Sequence, residues 1–222
     1  REGANIIINY IKNREAAEEV REEAKNFGVS TLIEQGNVAN YDDCKRILDN
    51  VLKRFNRVDI LVNNAGIWEQ GYIGEISPEL WKKIIEVNLN GVYNFCNLVV
   101  PVMKEQKSGN IIIISSRCAR KGEEGSSPYV AAKAGLIGFI RSIAMELGPF
   151  NIRVNGVAPA WIYSDMTYDY LKKYGNEPEI LKTIPLGRIG TPEDVANVCL
   201  FLASELSGYI TGETIFLSGG AI

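Results

Sequence analysis

The stretch NIIIIS, residues 110–115, sets four isoleucines in a row and ends on a hydroxyl. A strand with one face in water alternates polar and apolar residues. An unbroken β-branched run instead reads as a strand covered on both faces, as in a parallel sheet packed between helices. The surrounding segments agree. Upstream, VDILVNN (58–64) is a second buried strand, preceded by short strands at NIIINY (5–10) and TLIEQ (31–35). Downstream come IRVNGVA (152–158) and TIFLS (214–218). Helical spacing fills the intervals. Asn13 caps a helix stopped by Gly28, and Tyr41 to Phe55 shows an apolar face. Ser77-Pro78-Glu79 opens a long helix towards Met103, one helix runs from about Ser127 to Leu147, and Thr191-Pro192-Glu193-Asp194 opens the last. This order predicts an α/β fold, a doubly wound parallel sheet with helices on both faces and ligands bound at the strands' carboxyl ends.

The chain has 222 residues, a size for one large α/β domain, and no linker divides it; residues 1–222 are expected to form a single domain. A net charge of -3 argues against nucleic acid or an anionic membrane as the main partner. No signal peptide or membrane-length apolar run is seen, and Cys44, Cys96, Cys118 and Cys199 lack metal-ligand spacing. Reduced thiols and a cytoplasmic location are therefore expected. Histidine is absent, which excludes Ser-His-Asp and Cys-His catalysis and histidine-ligated zinc. Acid/base chemistry must fall to another side chain.

A tyrosine and a lysine one helical turn apart can act as such a pair, and the spacing occurs three times: Tyr41/Lys45, Tyr129/Lys133 and Tyr168/Lys172. Placement separates them. Tyr41 sits on the apolar face of its helix, and Tyr168 lies in a polar segment beside two solvated lysines. Tyr129 alone follows a hydroxyl at a strand end, Ser116, thirteen residues earlier.

Five motifs, NNAG (63–66), VNLNG (87–91), ISS (114–116), YVAAK (129–133) and VNGVAPAWI (154–162), together resemble the short-chain dehydrogenases/reductases in order and spacing. GRIGTPEDVA (187–196) and YITGE (209–213) look most like their 3-oxoacyl-[acyl-carrier-protein] reductase branch. The resemblance implies a Rossmann-like sheet and a catalytic tetrad of Asn88, Ser116, Tyr129 and Lys133. Tyrosine titrates near 10, so work near neutrality asks for a downward shift of roughly 3 units, which an adjacent Lys133 would help supply. Ser116 would orient the substrate oxygen, and Asn88 would hold a water linking Lys133 to solvent.

The family binds NAD(P) through a glycine-rich turn after its first strand. The sequence contains no such turn, and NIIINY aligns with the family's second strand. With no initiating Met, an N-terminally incomplete domain is expected. The absent first strand would lie between NIIINY and VDILVNN and leave a gap of ~10 Å in the sheet. Asn9 and Tyr10 replace the acid that would select NAD, and Lys12 and Arg14 follow, so NADP(H) is favoured with NAD(H) as the alternative. By the resemblance, Asn37 and Val38 meet the adenine, and Asn63, Ala65 and Gly66 pass under the ribose. Pro159, Ala160, Ile162 and Ser164 border the nicotinamide alongside Tyr129 and Lys133. Alanine at 160, serine at 164 and Ser218 before the final glycines depart from the family pattern.

On the substrate side, Trp68 and Trp161 join Ser116 and Tyr129, with Glu69, Tyr163 and Met166 nearby. A 3-oxoacyl thioester is expected, delivered by acyl carrier protein. Phe150 stands where a carrier-binding arginine is usual, however, and leaves Lys107 as the basic candidate. A free sugar, alcohol or ketone is the alternative, and a non-catalytic subunit the alternative of another class. In the family the helices corresponding to 78–103 and 127–147 usually pair between subunits, so the resemblance implies a homotetramer or dimer.

Overall fold

The computed structural model describes residues 2–221; Arg1 and Ile222, the ends of the expected domain, lie outside the described residues. Its elements alternate throughout. Strand β1 (Ile6–Tyr10) leads through α1 (Arg14–Lys25) to β2 (Thr31–Gln35), then α2 (Tyr41–Phe55) to β3 (Ile60–Asn63). Helices α3 (Pro78–Ile85) and α4 (Gly91–Gln106) are joined by a π-helical segment, Glu86–Asn90, and lead to β4 (Gly109–Ile114). A short α5 (Cys118–Lys121) and the long α6 (Ser127–Leu147) precede β5 (Ile152–Pro159). Then come α7 (Asp165–Tyr168), a second π segment (Asp169–Lys173), α8 (Glu177–Lys182), α9 (Pro192–Ala203) and β6 (Thr214–Leu217).

Local chemistry fixes the helix starts. Asn13 Oδ1 accepts from Ala16 N, Ser77 Oγ accepts from Leu80 N with Pro78 following, and Thr191 and Asp194 form a reciprocal capping box. Segments 118–121 and 165–182, whose polar sequence reads as loop, also coil into short helices.

The strands are all parallel, and β3-β4-β5-β6 form one sheet, with Ile111 opposite Val154 and Leu61 opposite Ile111 in the ladder. The four isoleucines of β4 alternate as the pleat requires. Ile111 and Ile113 pack on Val99, Met103, Leu136 and Ile140 from α4 and α6, while Ile112 packs with Leu202 of α9 on the other face. Helices therefore cover both faces, the Rossmann-like α/β arrangement that the sequence order predicts.

In one respect the sheet differs from a continuous one. Strands β1 and β2 pair only with each other, so β1 and β3 each keep a ladder edge unpaired among the described residues. Exposed Ile6, Ile7, Ile60 and Val62 lie on those two strands. Apolar side chains on an edge are the kind that edge strands usually avoid. The two sheets are tied through helices instead: α2 packs on α4, and Asn94 Nδ2 donates to Val38 O just beyond β2.

Candidate active site

At the carboxyl end of β4 the chain leaves the sheet through Ser115 and Ser116. Ser115 Oγ donates to Lys133 O at 2.8 Å, and Lys133 Nζ donates back to Ile114 O at 2.8 Å. These two bonds clamp α6 across the strand end. Lys133 is 3% exposed, and burial pushes its ammonium down to about 8. Its Nζ stands 5.6 Å from the centroid of the Tyr129 ring, one turn back on the same helix.

Tyr129 and Ser116 line one cleft, open to solvent, with Ala160 and Trp161 beyond the end of β5. Burial pushes the Tyr129 phenol up to about 12, Cys118 adds to the rise, and the hydrogen bond with Ser116 opposes it. This reverses the direction expected from the Tyr-Lys spacing. Lys133 Nζ donates to Ile114 O and faces the ring, and desolvation of the phenol outweighs the hydrogen bond that lowers it.

Asn88 lies in the π segment, where Gly91 N donates to Glu86 O, five residues back. Its side chain is fully buried and fully used: Nδ2 donates to Ile84 O and Ile67 O at 2.9 Å, and Oδ1 accepts from Ile67 N at 3.2 Å. Asn88 thereby fixes the loop after β3 by both backbone groups of one residue. Gly66 is held between these groups. A Cβ there would sit 2.8 Å from Asn88 Oδ1 and 3.5 Å from Lys133 Nζ. We expect Gly66→Ala to destabilise the fold by about 1–3 kcal/mol, because an amide held by three bonds cannot retreat. Urea midpoints measure this, and an unchanged midpoint would show that the contact relaxes freely.

The remaining predicted residues fall in two places. Trp68 enters the cleft, its Nε1 donating to Ser126 Oγ at 2.9 Å, and Ile162 bridges to Gly190 beside it. Pro159 O accepts from Arg117 N, and Ser164 caps α7. Asn63 is buried at the end of β3 with Nδ2 on Cys96 Sγ, and Ala65 follows it, exposed. Asn9, Tyr10, Lys12, Arg14, Asn37 and Val38 gather instead at the ends of β1 and β2, outside the cleft. There Asn9 Nδ2 bonds Glu34 O and Gly36 O, and Asn37 Oδ1 accepts from Ala39 N. Lys12 and Arg14 are exposed, and Arg14 leans on Glu18 at 3.6 Å.

The other two Tyr-Lys pairs are structural. Tyr41 accepts from Asn97 on the surface, and Lys172 is bound by Glu177 at 2.5 Å while Tyr168 points into solvent. Glu69 pairs with Lys83 outside the cleft, and Tyr163 donates to Glu177 at 2.5 Å.

Sequence reasoning missed part of the cleft. Tyr170 stacks on Trp161, with centroids 5.2 Å apart and planes 7° off parallel, and meets Trp68 edge-on at 5.9 Å. Arg117, Glu123 and Glu124 also line the cleft. Only the position of Arg117 beside Ser116 hinted at this.

The comparisons point one way. The family model described as "Enoyl-(Acyl carrier protein) reductase" matches residues 1–221. The chain is 43% identical over 219 residues to the 3-oxoacyl-[acyl-carrier-protein] reductase FabG of Staphylococcus aureus strain Mu50, covering 99% of this chain and 88% of that protein. It is 40% identical over 221 residues to the Thermotoga maritima enzyme of the same name, covering 100% and 89%. A crystal structure of gluconate 5-dehydrogenase from Burkholderia cenocepacia, in complex with NADP and tartrate, superposes with a TM-score of 0.92 at 28% identity, covering 99% of this chain and 86% of that one. The chain belongs to the short-chain dehydrogenase/reductase family.

Proposed function

We propose that this chain is an NADP(H)-dependent reductase of a 3-oxoacyl thioester, working as a single domain in which Tyr129 is the proton donor. The observation that carries the reading is Tyr129 sharing an open cleft with Ser116, with Lys133 buried behind its ring. The relatives named 3-oxoacyl-[acyl-carrier-protein] reductase support the substrate, and the neighbour holding NADP supports the cofactor.

The residues present suit that cofactor. Lys133 Nζ, wholly buried, has one acceptor among the described residues, Ile114 O, for three ammonium protons. Hydroxyls of a ribose would satisfy the others. At the end of β1, Asn9 and Tyr10 present no carboxylate, and Lys12 and Arg14 stand in water, an arrangement that suits a 2′-phosphate. When bound, the nicotinamide supplies the hydride.

The chain's own residues do the rest. Ser116 Oγ donates to the oxygen of the reacting carbonyl and fixes its direction. As negative charge grows on that oxygen, Tyr129 Oη transfers its proton there. A phenol pushed up to about 12 remains a full reservoir of that proton at pH 7. Lys133 stabilises the phenolate that remains, and Asn88 keeps the β3 loop and the lysine in register. The aromatic wall of Trp68, Trp161 and Tyr170 excludes water from the acyl side.

NADPH consumption with an acetoacetyl thioester tests the reading; no turnover with any 3-oxoacyl thioester would sink it. Acyl carrier protein would be the physiological donor, in the cytoplasm. Exposed Tyr93 on α4 and Met145 on α6 support assembly into a homotetramer or dimer. Sedimentation velocity checks this, and a monomer at micromolar concentration would contradict it.

A further inference from the structure

Arg117 follows Ser116 directly, lines the same cleft and is 7% exposed. A buried guanidinium normally spends its five N–H donors on several acceptors. Here, among the described residues, the side chain has a single ionic contact, Nη2 to Glu123 Oε2 at 3.5 Å, and no shorter hydrogen bond. Its backbone is fully engaged, with N donating to Pro159 O and O accepting from Arg120 N and Lys121 N. The residue is thus anchored by its main chain, while its side chain lines the same cleft as Ser116 and keeps free donors.

We propose that Arg117 is a specificity-determining residue that donates to a second, neutral acyl oxygen of the substrate, two carbons from the carbonyl held by Ser116 and Tyr129. This rests on the 3-oxoacyl reading and says which part of the thioester is read. Charge decides between a neutral carbonyl and a free carboxylate. Glu123 and Glu124 both line the cleft with Arg117, so the three side chains sum to a net negative charge before any ligand enters. A carboxylate would compete with Glu123 for the guanidinium and be repelled by both acids. A thioester, ester or amide carbonyl would accept from the free donors and leave the ion pair in place.

The test is a binding titration read by the fluorescence of Trp68 and Trp161, which line the same cleft. The probes are the N-acetylcysteamine thioester of acetoacetate, free acetoacetate and 2-pentanone, which lacks the second oxygen. Wild type should prefer the thioester over 2-pentanone by about 10- to 100-fold, the range for a hydrogen bond from a charged donor. Arg117→Met should abolish that preference while leaving 2-pentanone within about threefold, and Arg117→Lys should restore part of it. Glu123→Gln should raise affinity for free acetoacetate by at least fivefold to tenfold (roughly, for one removed like charge at partly buried range). A residue that merely staples the 117–123 loop would weaken all three probes equally, and that result, or no preference in wild type, overturns the proposal. If the preference is present but NADPH is not consumed, the reductase reading fails while the recognition of the acyl oxygen stands.

Discussion

Tyr129→Phe is expected to lower kcat for reduction by about 10²–10⁴-fold, the usual weight of a positioned general acid, with NADPH affinity changed less than threefold, a range set roughly by the loss of one hydroxyl. The substitution removes one oxygen and keeps the ring. The stack of side chains around the cleft and the position of Lys133 beside the ring face should therefore persist. Because burial holds the phenol near 12, the wild-type reduction rate should show no fall from phenol ionisation between about pH 7 and 9. Steady-state rates and an NADPH binding titration on both proteins check this. Equal activity of the two proteins would remove Tyr129 from the mechanism. A comparable loss in Tyr41→Phe would show that the wrong tyrosine has been assigned.

The second large effect concerns stability. Lys133 falls from 10.5 to about 8 on folding because burial penalises its charge. Between those values the unfolded chain binds more protons than the folded one, so this group makes stability rise with pH across the window. A shift of that size corresponds to roughly 3 kcal/mol, fully imposed below pH 8 and relieved by about pH 10.5. Lys133→Met carries no such charge, though it leaves Ile114 O without its donor at a cost of about 1–3 kcal/mol. Near pH 7 the variant should match or exceed wild type; near pH 10 it should be the less stable of the two. Cys44, Cys96 and Cys199, whose thiols burial pushes up to about 11, 12 and 11, pull the other way above pH 9 in both proteins. The difference between the two urea-midpoint curves isolates the lysine. Parallel curves from pH 7 to 10 would mean that Lys133 binds its proton as tightly in the folded protein as in the unfolded chain, and the burial argument for the Lys133–Tyr129 pair would need rewriting.

Much of this architecture is legible in the residues because it rests on local rules. Four consecutive isoleucines announce a strand buried on both faces, and caps such as Ser77-Pro78 and Thr191-Pro192 announce helix starts that the backbone then adopts. The neighbourhood of Ser116 and Tyr129 is legible too, since a strand end and the first turn of the next helix bring them to one cleft. Other features have no local signature. The π segments at Glu86–Asn90 and Asp169–Lys173 use ordinary helix-forming residues and differ only in which carbonyl each N–H finds. Pairing of β1 with β2 alone is not encoded by strand propensity either, and it is legible only through the resemblance, which implies a gap between NIIINY and VDILVNN. The direction of the Tyr129 shift eluded the spacing argument for a similar reason. Spacing shows that a cation is near, whereas desolvation and the claim of Ile114 O on Lys133 depend on the packed surroundings.

The π segment also bears on how the length of this chain can vary. An α-helix advances about 100° and 1.5 Å per residue, so a five-residue π turn behaves as a helix carrying one residue more than it needs. Deleting one residue from Glu86–Asn90 would heal the segment into regular α-helix and leave a continuous rod from Pro78 to Gln106. The rod would then be wound differently. Either Asn88 would swing away from Ile67, or the row Val92, Cys96 and Val99 would turn out of the core, by about 100° in each case. A shortened descendant could thus keep its circular dichroism spectrum and lose the contact that holds the β3 loop against Lys133.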